Sequence, residues 1–407
     1  MIEIMKGELK NLKSPLYRNS IYISMTSLVT AVAGFLFWSV AARLYPSSQV
    51  GIASAVVSAI NLTFTLSMLG LNFSLIRFYP QYRERAIGSS LILAIAASFA
   101  FSLVYGLIMK NSESFSGVFS AEFLAMFVGF SVIGTAYNIL STYAIAKRKA
   151  EHSFIQSVLF ALRFAFLFLL VSLGVFGIVG SFGLGLLLGL VYGIIFIDDL
   201  KLEIDKEYIR DSFRFSLGNY IASIANVAPN YLMPTIVLTM LGKEQAAYFY
   251  IAFAIGTLVL FVPNAINTSF FVEGSHGLKD IRRTLKKALV FSYVYLAVAT
   301  VLVWLFGGYV LKLFRPEYVN GFGLLKLMVI GGFFVVPVNF FITILNIQKR
   351  VKEVVVINVF KGMLFLGLSY LLIQRLGIEG VGWGWIGAYS TLTSFIVMTQ
   401  ADIMSKS

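Results

Sequence analysis

"NILSTYAIAKRKAE" occupies residues 138–151, and a second version of it, "NFFITILNIQKRVK", occupies residues 339–352. Asn138 falls on Asn339, and Arg148-Lys149 falls on Lys349-Arg350, at an offset of 201. In each copy an apolar run of helix length ends in a short cluster of cations, the mark of a helix leaving a membrane on its cytoplasmic side. Two further matches lie near the same offset. "GIVG" (177–180) falls on "GIEG" (377–380), and "RLYPSSQVGIAS" (43–54) lines up with "TMLGKEQAAYFY" (239–250) through Gln49 and Gln245. The chain therefore reads as two halves built in the same order.

The 407 residues are 58% hydrophobic and 13% charged, about half the charged fraction of a soluble domain. Mean hydropathy is +0.86. Apolar runs of roughly 20 residues, long enough to cross a ~30 Å hydrocarbon core, recur along the whole length. Twelve are expected: 19–41, 50–74, 86–109, 120–145, 153–173, 178–197, 215–240, 246–271, 285–306, 322–346, 354–374 and 379–400. The expectation is an all-α polytopic membrane protein. Residues 1–197 form one six-helix lobe, 198–214 a cytoplasmic, amphipathic linker, and 215–407 a second lobe. The polar start "MIEIMKGELKNLKSPLYRNS" lacks the apolar core and small-residue cleavage site of a removable leader, so the first span is expected to remain.

Charge sets the orientation. With the N-terminus cytoplasmic, inner segments hold 23 Lys and Arg and outer segments 7, Arg163 and Lys361 falling within spans. That bias places both termini on the cytoplasmic side of the plasma membrane. The net charge of +13 is then a topology signal with a weak attraction to anionic lipid, and nucleic acid is not an expected partner. With no cysteine and only His152 and His276, disulfides and cysteine chemistry are excluded, and neither a metal nor a cofactor is expected.

Two halves of six spans share one orientation, because six crossings return the chain to its starting side. Transporters use such parallel repeats to place a substrate site between two lobes. Beyond the repeat, "AARLYPSSQVGIAS" (41–54), "LSMLGLNFSLIRFYPQ" (66–81), "YAIAKRKAEHSF" (143–154) and "GIEGVGWGWIGA" (377–388) carry a resemblance over essentially the whole chain. The sequence resembles the polysaccharide-transport branch of the multidrug/oligosaccharidyl-lipid/polysaccharide exporter superfamily, whose best-known members are Wzx-like oligosaccharide flippases. The resemblance implies two six-helix lobes in a V around a central cavity. It implies a transporter rather than an enzyme, a lipid-linked glycan as cargo, and glycosyltransferases or a polymerase as partners. Many members have fourteen spans; twelve here leave nothing onto which features of spans 13 and 14 could be carried.

The candidate residues are those expensive to keep in a membrane. Arg163 stands alone in "LFALRFAFLFLL" (159–170), where an arginine at a helix centre costs at least ~2.5–3.5 kcal/mol on insertion scales. It lies roughly 16 Å past the inner boundary at His152, and Lys361 roughly 12 Å past Glu353. The offset places Lys361 over Phe160, which shares a helix face with Arg163 at i, i+3. Every carboxylate lies at or beyond a span end, with Asp198, Asp199 and Glu273 at inner mouths. Cations without a buried acid suit an anionic ligand, such as a diphosphate-linked or acidic sugar. Arg77 and Arg18 at the cytoplasmic ends of spans 1 and 2, with Arg85 on span 3, are placed to guide a phosphate headgroup. Positive-inside anchoring is the better account of Arg18 and Arg85, and explains Arg77 equally well.

Span 7, "NYIASIANVAPNYLMPTIVL", carries Asn226, Pro229, Asn230 and Pro234. Two prolines five apart should bend or break it, and asparagines can re-satisfy the freed backbone groups, so it is expected to line the cavity and gate it. Asn138, Asn339 and Gln156 are expected to bond between helices, and Ser181, Gly185, Gly189 and Gly193 to form a close-packing stripe. "GWGWIG" (382–387) matches a dinucleotide fingerprint only formally, since no βαβ unit surrounds it. Three other functions remain open, one of them a passive scaffold. A multidrug or cation antiporter would need a buried carboxylate. A membrane enzyme would need a sizeable outer loop bearing acids, whereas 109–120 holds a single glutamate.

Overall fold

An apolar chain in hydrocarbon must satisfy its backbone within its own helices, and this one does. The computed structural model describes residues 15–115, 117–196, 200, 202–275 and 280–405, and among these residues there is no β-strand. The first half runs α1 (Pro15–Leu44), α2 (Ser47–Ser67), α3 (Leu71–Tyr82), α4 (Glu84–Lys110), α5 (Ala121–Ala146), α6 (Ala150–Ala161), α7 (Arg163–Leu169) and α8 (Val175–Phe196). The second runs α9 (Lys206–Leu241), α10 (Lys243–Val259), α11 (Phe261–Ser275), α12 (Ile281–Lys312), α13 (Phe322–Ile347), α14 (Val351–Leu376) and α15 (Glu379–Ser405). Ten of the described helical segments have the length and apolar composition of a membrane span, and the pair α10/α11, bent by 43°, supplies an eleventh. The last expected run, 379–400, lies in α15, whose glycines, tryptophans, serines and threonines keep it out of that set.

The chain divides into two compact units. One comprises the residues up to Tyr45 together with Val56–Tyr220, the other Pro46–Ala55 together with the residues from Ile221 onward. Within the first, α4 packs along α5, α1 along α6, and α8 against α5, α6 and α7. The small-residue stripe of α8 is the reason it fits: Ser181, Gly185, Gly189 and Gly193 are all buried. A β-carbon on Gly185 would stand 2.7 Å from Arg163 Cβ and 2.9 Å from the Phe160 carbonyl. Within the second unit, α14 runs along α15, and α13 packs against α10, α11, α12 and α15.

The segment expected as a linker is anchored to the first unit. Asp205 caps α9, accepting from the backbone N–H groups of Glu207 and Tyr208 at 3.0 Å. It also pairs with Arg85 at 3.3 Å, while Tyr82 donates to Asp211 at 2.8 Å. Asp198, Asp199 and His276 lie outside the described residues.

The repeat is visible in backbone conformation. Arg148 and Lys349 share the left-handed region with φ 58° and 59°. Each ends its helix in the same pair of bonds: Arg148 N–H to Ile145 O (2.9 Å) and Lys149 N–H to Ala144 O (2.9 Å), Lys349 N–H to Asn346 O (3.0 Å) and Arg350 N–H to Leu345 O (2.9 Å). This is the Schellman closure, which satisfies the carbonyls orphaned at a helix end. The last spans also correspond, but at a different offset. Gly174 (φ 56°) and Gly377 (φ 59°) hold the glycine-favouring conformation. Gly177 then bonds Gly174 O as Gly380 bonds Gly377 O. "GIVG" and "GIEG" are thus three residues out of structural register. The fifth span of the first half breaks at Leu162 and closes in a 3-10 turn, Val171–Leu173, whereas α14 runs unbroken to Leu376.

The expected break in span 7 is absent: α9 is one helix of 36 residues with Pro229 and Pro234 inside it. Pro229 removes the bond to the Ala225 carbonyl, and α14 covers that point with a glycine. A β-carbon on Gly362 would lie 2.8 Å from Ala225 O and 3.0 Å from Pro229 Cγ. The break falls instead in span 8, at Leu260. There Pro263, in the first turn of α11, cannot donate back across the joint.

Candidate functional site

Arg163 opens α7 just after the tightened turn at Leu162, where Leu162 N–H bonds Leu159 O at 3.1 Å and Ala165 N–H bonds Leu162 O at 2.9 Å. Its side chain is 4% exposed. The guanidinium carbon lies 3.7 Å from the ring centroid of Phe160, the i, i+3 neighbour expected on its face, and 5.3 Å and 5.5 Å from Phe37 and Phe182. An arginine over aromatic faces gains ~2 kcal/mol or more when desolvated. Gly185 leaves room for it, since a β-carbon there would stand 2.7 Å from Arg163 Cβ. The first unit therefore encloses Arg163 in rings.

Arg77 and Arg18 are exposed. Arg77 lies 5.9 Å from the Phe215 ring, and Arg18 pairs with Glu151 at 3.5 Å. Such exposed pairs contribute ~0–1 kcal/mol, little enough to be exchanged for a ligand. His152 shares a hydrogen bond with the Tyr192 hydroxyl at 2.9 Å. Gln156 bonds across to Gly189 O on α8 at 3.1 Å, as expected of an interhelical contact, whereas Asn138 bonds Gly134 O within its own helix.

Lys361 has different surroundings. It is also 4% exposed, but its Nζ donates to Asn226 Oδ1 at 2.6 Å and to Asn358 Oδ1 at 3.1 Å. It also lies 5.6 Å from the Tyr389 ring. α14 meets α9 here, at the same level as Pro229 and Gly362. Both asparagines line a cavity of about 390 Å³ within the second unit, together with Asn230, Asn264, Asn267 and Asn339. Thr257, Thr343, Trp385 and Tyr389 complete its polar and aromatic wall, and no lining residue is acidic. Of the expected gating residues, Asn226 and Asn230 belong to this wall, while Pro229 and Pro234 are buried in the packing of α9.

Asn264, Asn267, Asn358, Trp385 and Tyr389 are not among the residues expected from the sequence. The available signal was spacing: Asn264 and Asn267 are three apart, Asn226 and Asn230 four apart, and Trp385 and Tyr389 four apart, each pair on one helix face. Elsewhere the described acids keep to helix ends, with Glu84, Glu122, Glu151, Glu244, Glu353 and Glu379 all in first turns. Glu273 is exposed near the end of α11. Among the described residues no three of His, Cys, Asp and Glu gather as a metal site would require.

Residues 16–271 match the family described as polysaccharide biosynthesis protein. No curated protein matches the sequence. Solved structures do match in fold. Lipid II flippase MurJ in an inward closed conformation has a TM-score of 0.77 at 12% identity, covering 94% of this chain and 87% of that one. A multidrug resistance MATE family transporter of the MOP superfamily, facing inward, has a TM-score of 0.70 at 13% identity, covering 95% and 98%. A MOP superfamily transporter from Pyrococcus furiosus, described as having a binding pocket of reverse polarity, has a TM-score of 0.58 at 13% identity, covering 96% and 95%.

Proposed function

The chain belongs to the polysaccharide biosynthesis protein family, and on that premise we propose that it flips a lipid-linked oligosaccharide or polysaccharide precursor across the cytoplasmic membrane by alternating access. Both termini face the cytoplasm in this reading, as the cation bias of the loops requires. The observation that carries it is the cavity of the second unit: inside a membrane-spanning bundle, it is lined by amides and aromatics, two of those amides bind the buried ammonium of Lys361 behind the wall, and no carboxylate lines it. An intramembrane cation marks a substrate path by default, and the sign of this one favours anionic or neutral cargo.

The anionic linkage of the cargo is assigned to the arginines. Arg18 and Arg77, exposed near the cytoplasmic ends of their spans, receive a phosphate headgroup. Arg163 meets the anion only once its ring enclosure opens. Glycosyltransferases or a polymerase would supply and consume such a cargo. A multidrug or cation antiporter, the other reading the fold admits, needs a buried carboxylate to exchange Na⁺ or H⁺, and the described acids sit at helix ends. Glycan export in cells tests the proposal. The double variant Arg163→Ala/Lys361→Ala is expected to lose export by about tenfold or more, the effect of ~1.4 kcal/mol or greater. Unchanged export by that variant at normal protein levels would refute the cationic path.

A further inference from the structure

The hydrogen-bonding groups of the second-unit cavity have directions that Lys361 imposes. An ammonium donates three bonds and accepts none, so each amide it touches must turn Oδ1 toward it. Asn226 and Asn358 do so, and their Nδ2 groups therefore point away. That of Asn358 is taken by the Ala222 carbonyl at 3.4 Å, which leaves the Asn226 amide as a donor on the cavity wall. On other helices Asn339 donates to Asn264 Oδ1 at 3.2 Å, so Asn264 keeps its Nδ2 and Asn339 its Oδ1. Asn267 donates to Asn339 O at 3.5 Å.

Two buried groups on this wall find no partner among the described residues: Asn267 Oδ1 and Trp385 Nε1. Trp385 is 5% exposed and stacked on Tyr389, with centroids 5.6 Å apart and planes at 25°. Leaving such groups unmade is costly, and the indole nitrogen is packed against α13, 3.3 Å from where a β-carbon on Gly331 would stand. The wall thus offers the donors Asn226 Nδ2 and Asn264 Nδ2. It offers the acceptor Asn339 Oδ1 beside an aromatic pair, with the Lys361 ammonium behind the lining residues Asn226 and Asn358.

Few ligands match that set. A phosphate only accepts, and would face the Asn339 amide oxygen with nothing to give it. A lipophilic cation would meet the charge of Lys361 with no carboxylate to offset it. A sugar hydroxyl both donates and accepts, and a sugar ring has an apolar C–H face for an aromatic surface. A volume of about 390 Å³ falls in the range of small-molecule sites. We propose that this cavity is a saccharide subsite that takes a sugar ring of the cargo glycan, with Lys361 as a positioning residue that fixes the orientation of its amides. The subsite rests on the glycan-transport reading for its source of sugar, but it makes a claim about binding that fails or stands separately.

Saturation-transfer NMR on the full chain in nanodiscs tests it, with free disaccharides of neutral hexose, N-acetylhexosamine and uronic acid as probes, and inorganic diphosphate and tetraphenylphosphonium as competitors. At least one disaccharide is expected to receive saturation, with neither competitor displacing it. Asn226→Leu and Asn264→Leu should each weaken that binding by about tenfold, with Asn226→Ala as the milder variant should the leucine disturb folding. Lys361→Gln should weaken it as well, and Lys361→Arg, also a pure donor, should restore it. Absence of saturation for every disaccharide, indifference to the asparagine substitutions, or displacement by diphosphate or the phosphonium would overturn the subsite. Disaccharide binding without glycan export would defeat the transport reading and leave the subsite standing. Export without disaccharide binding would do the reverse.

Discussion

Arg163 and Lys361 are equally buried, on the fifth span of their respective halves, and each lies against an aromatic ring, yet their polar surroundings differ. Three phenylalanines enclose the guanidinium, whereas two asparagine carbonyls hold the ammonium at the edge of a polar cavity. The chemistry of each cation fits its place. A planar, weakly hydrated guanidinium tolerates aromatic faces, whereas a compact ammonium needs carbonyl oxygens. The backbone differs in parallel: the helix of Arg163 breaks beside it, and that of Lys361 runs through. A repeat sets where a charge can sit, but the neighbouring helices decide what it can do.

Overfilling the two sites is the strongest way to break the comparison. Gly185→Leu and Gly362→Leu each drive a side chain into backbone or into the cation itself, and each is expected to cost more than ~3 kcal/mol and to abolish the folded protein. Gly367→Leu, where an added β-carbon meets nothing within 4 Å, should be tolerated. Detergent-solubilised yield and gel-filtration profile give the readout. Equal tolerance at all three positions would mean that neither helix contact is as close as described.

Truncating the cations should separate them. Arg163→Ala removes both a cation–π contact and the packing of the arginine stem, and should lower stability by ~2–4 kcal/mol. Lys361→Met keeps the volume and relieves a desolvated charge, so the expected loss is under ~1.5 kcal/mol. Thermal unfolding of the two variants side by side checks the order, and the reverse order would make Lys361 the structural cation.

Much of the first site was legible in the sequence. Phe160 and Arg163 are three apart, and helical spacing alone puts the ring under the guanidinium. The repeat was equally legible at its most polar point, where cations close both helices, and it slipped by three residues in the apolar "GIVG", where glycine and isoleucine offer little to fix a register. The second site was not legible, because its asparagines come from α9, α11, α13 and α14 and converge only once those helices pack. Pro229 and Pro234 likewise drew the expected break to span 7. Their effect depended on Gly362 in a distant helix, while the lone Pro263 at a helix start was enough to mark the bend in span 8.

Accessibility sharpens the comparison further, because the chain contains no cysteine and single thiols can be introduced cleanly. Asn230→Cys, on the cavity wall, is expected to react with a small methanethiosulfonate at least about tenfold faster than Phe182→Cys beside Arg163, since thiol reactivity follows access. Comparable rates would mean that the two sites are equally open. The smallest effect tests what the halves share. Arg148→Gly and Lys349→Gly each relieve a left-handed non-glycine residue, and both should raise stability by ~0.5–1 kcal/mol and by the same amount.

The most direct measurement places a fluorescent lipid-linked oligosaccharide and a lipophilic dye cation in the same proteoliposomes and follows both. The oligosaccharide is expected to cross in the presence of the protein and to stop crossing in the Asn226→Leu and Arg163→Ala variants, while the dye stays where it was loaded. Dye movement driven by a Na⁺ or H⁺ gradient and abolished by Glu273→Gln, with the oligosaccharide immobile, would contradict the account.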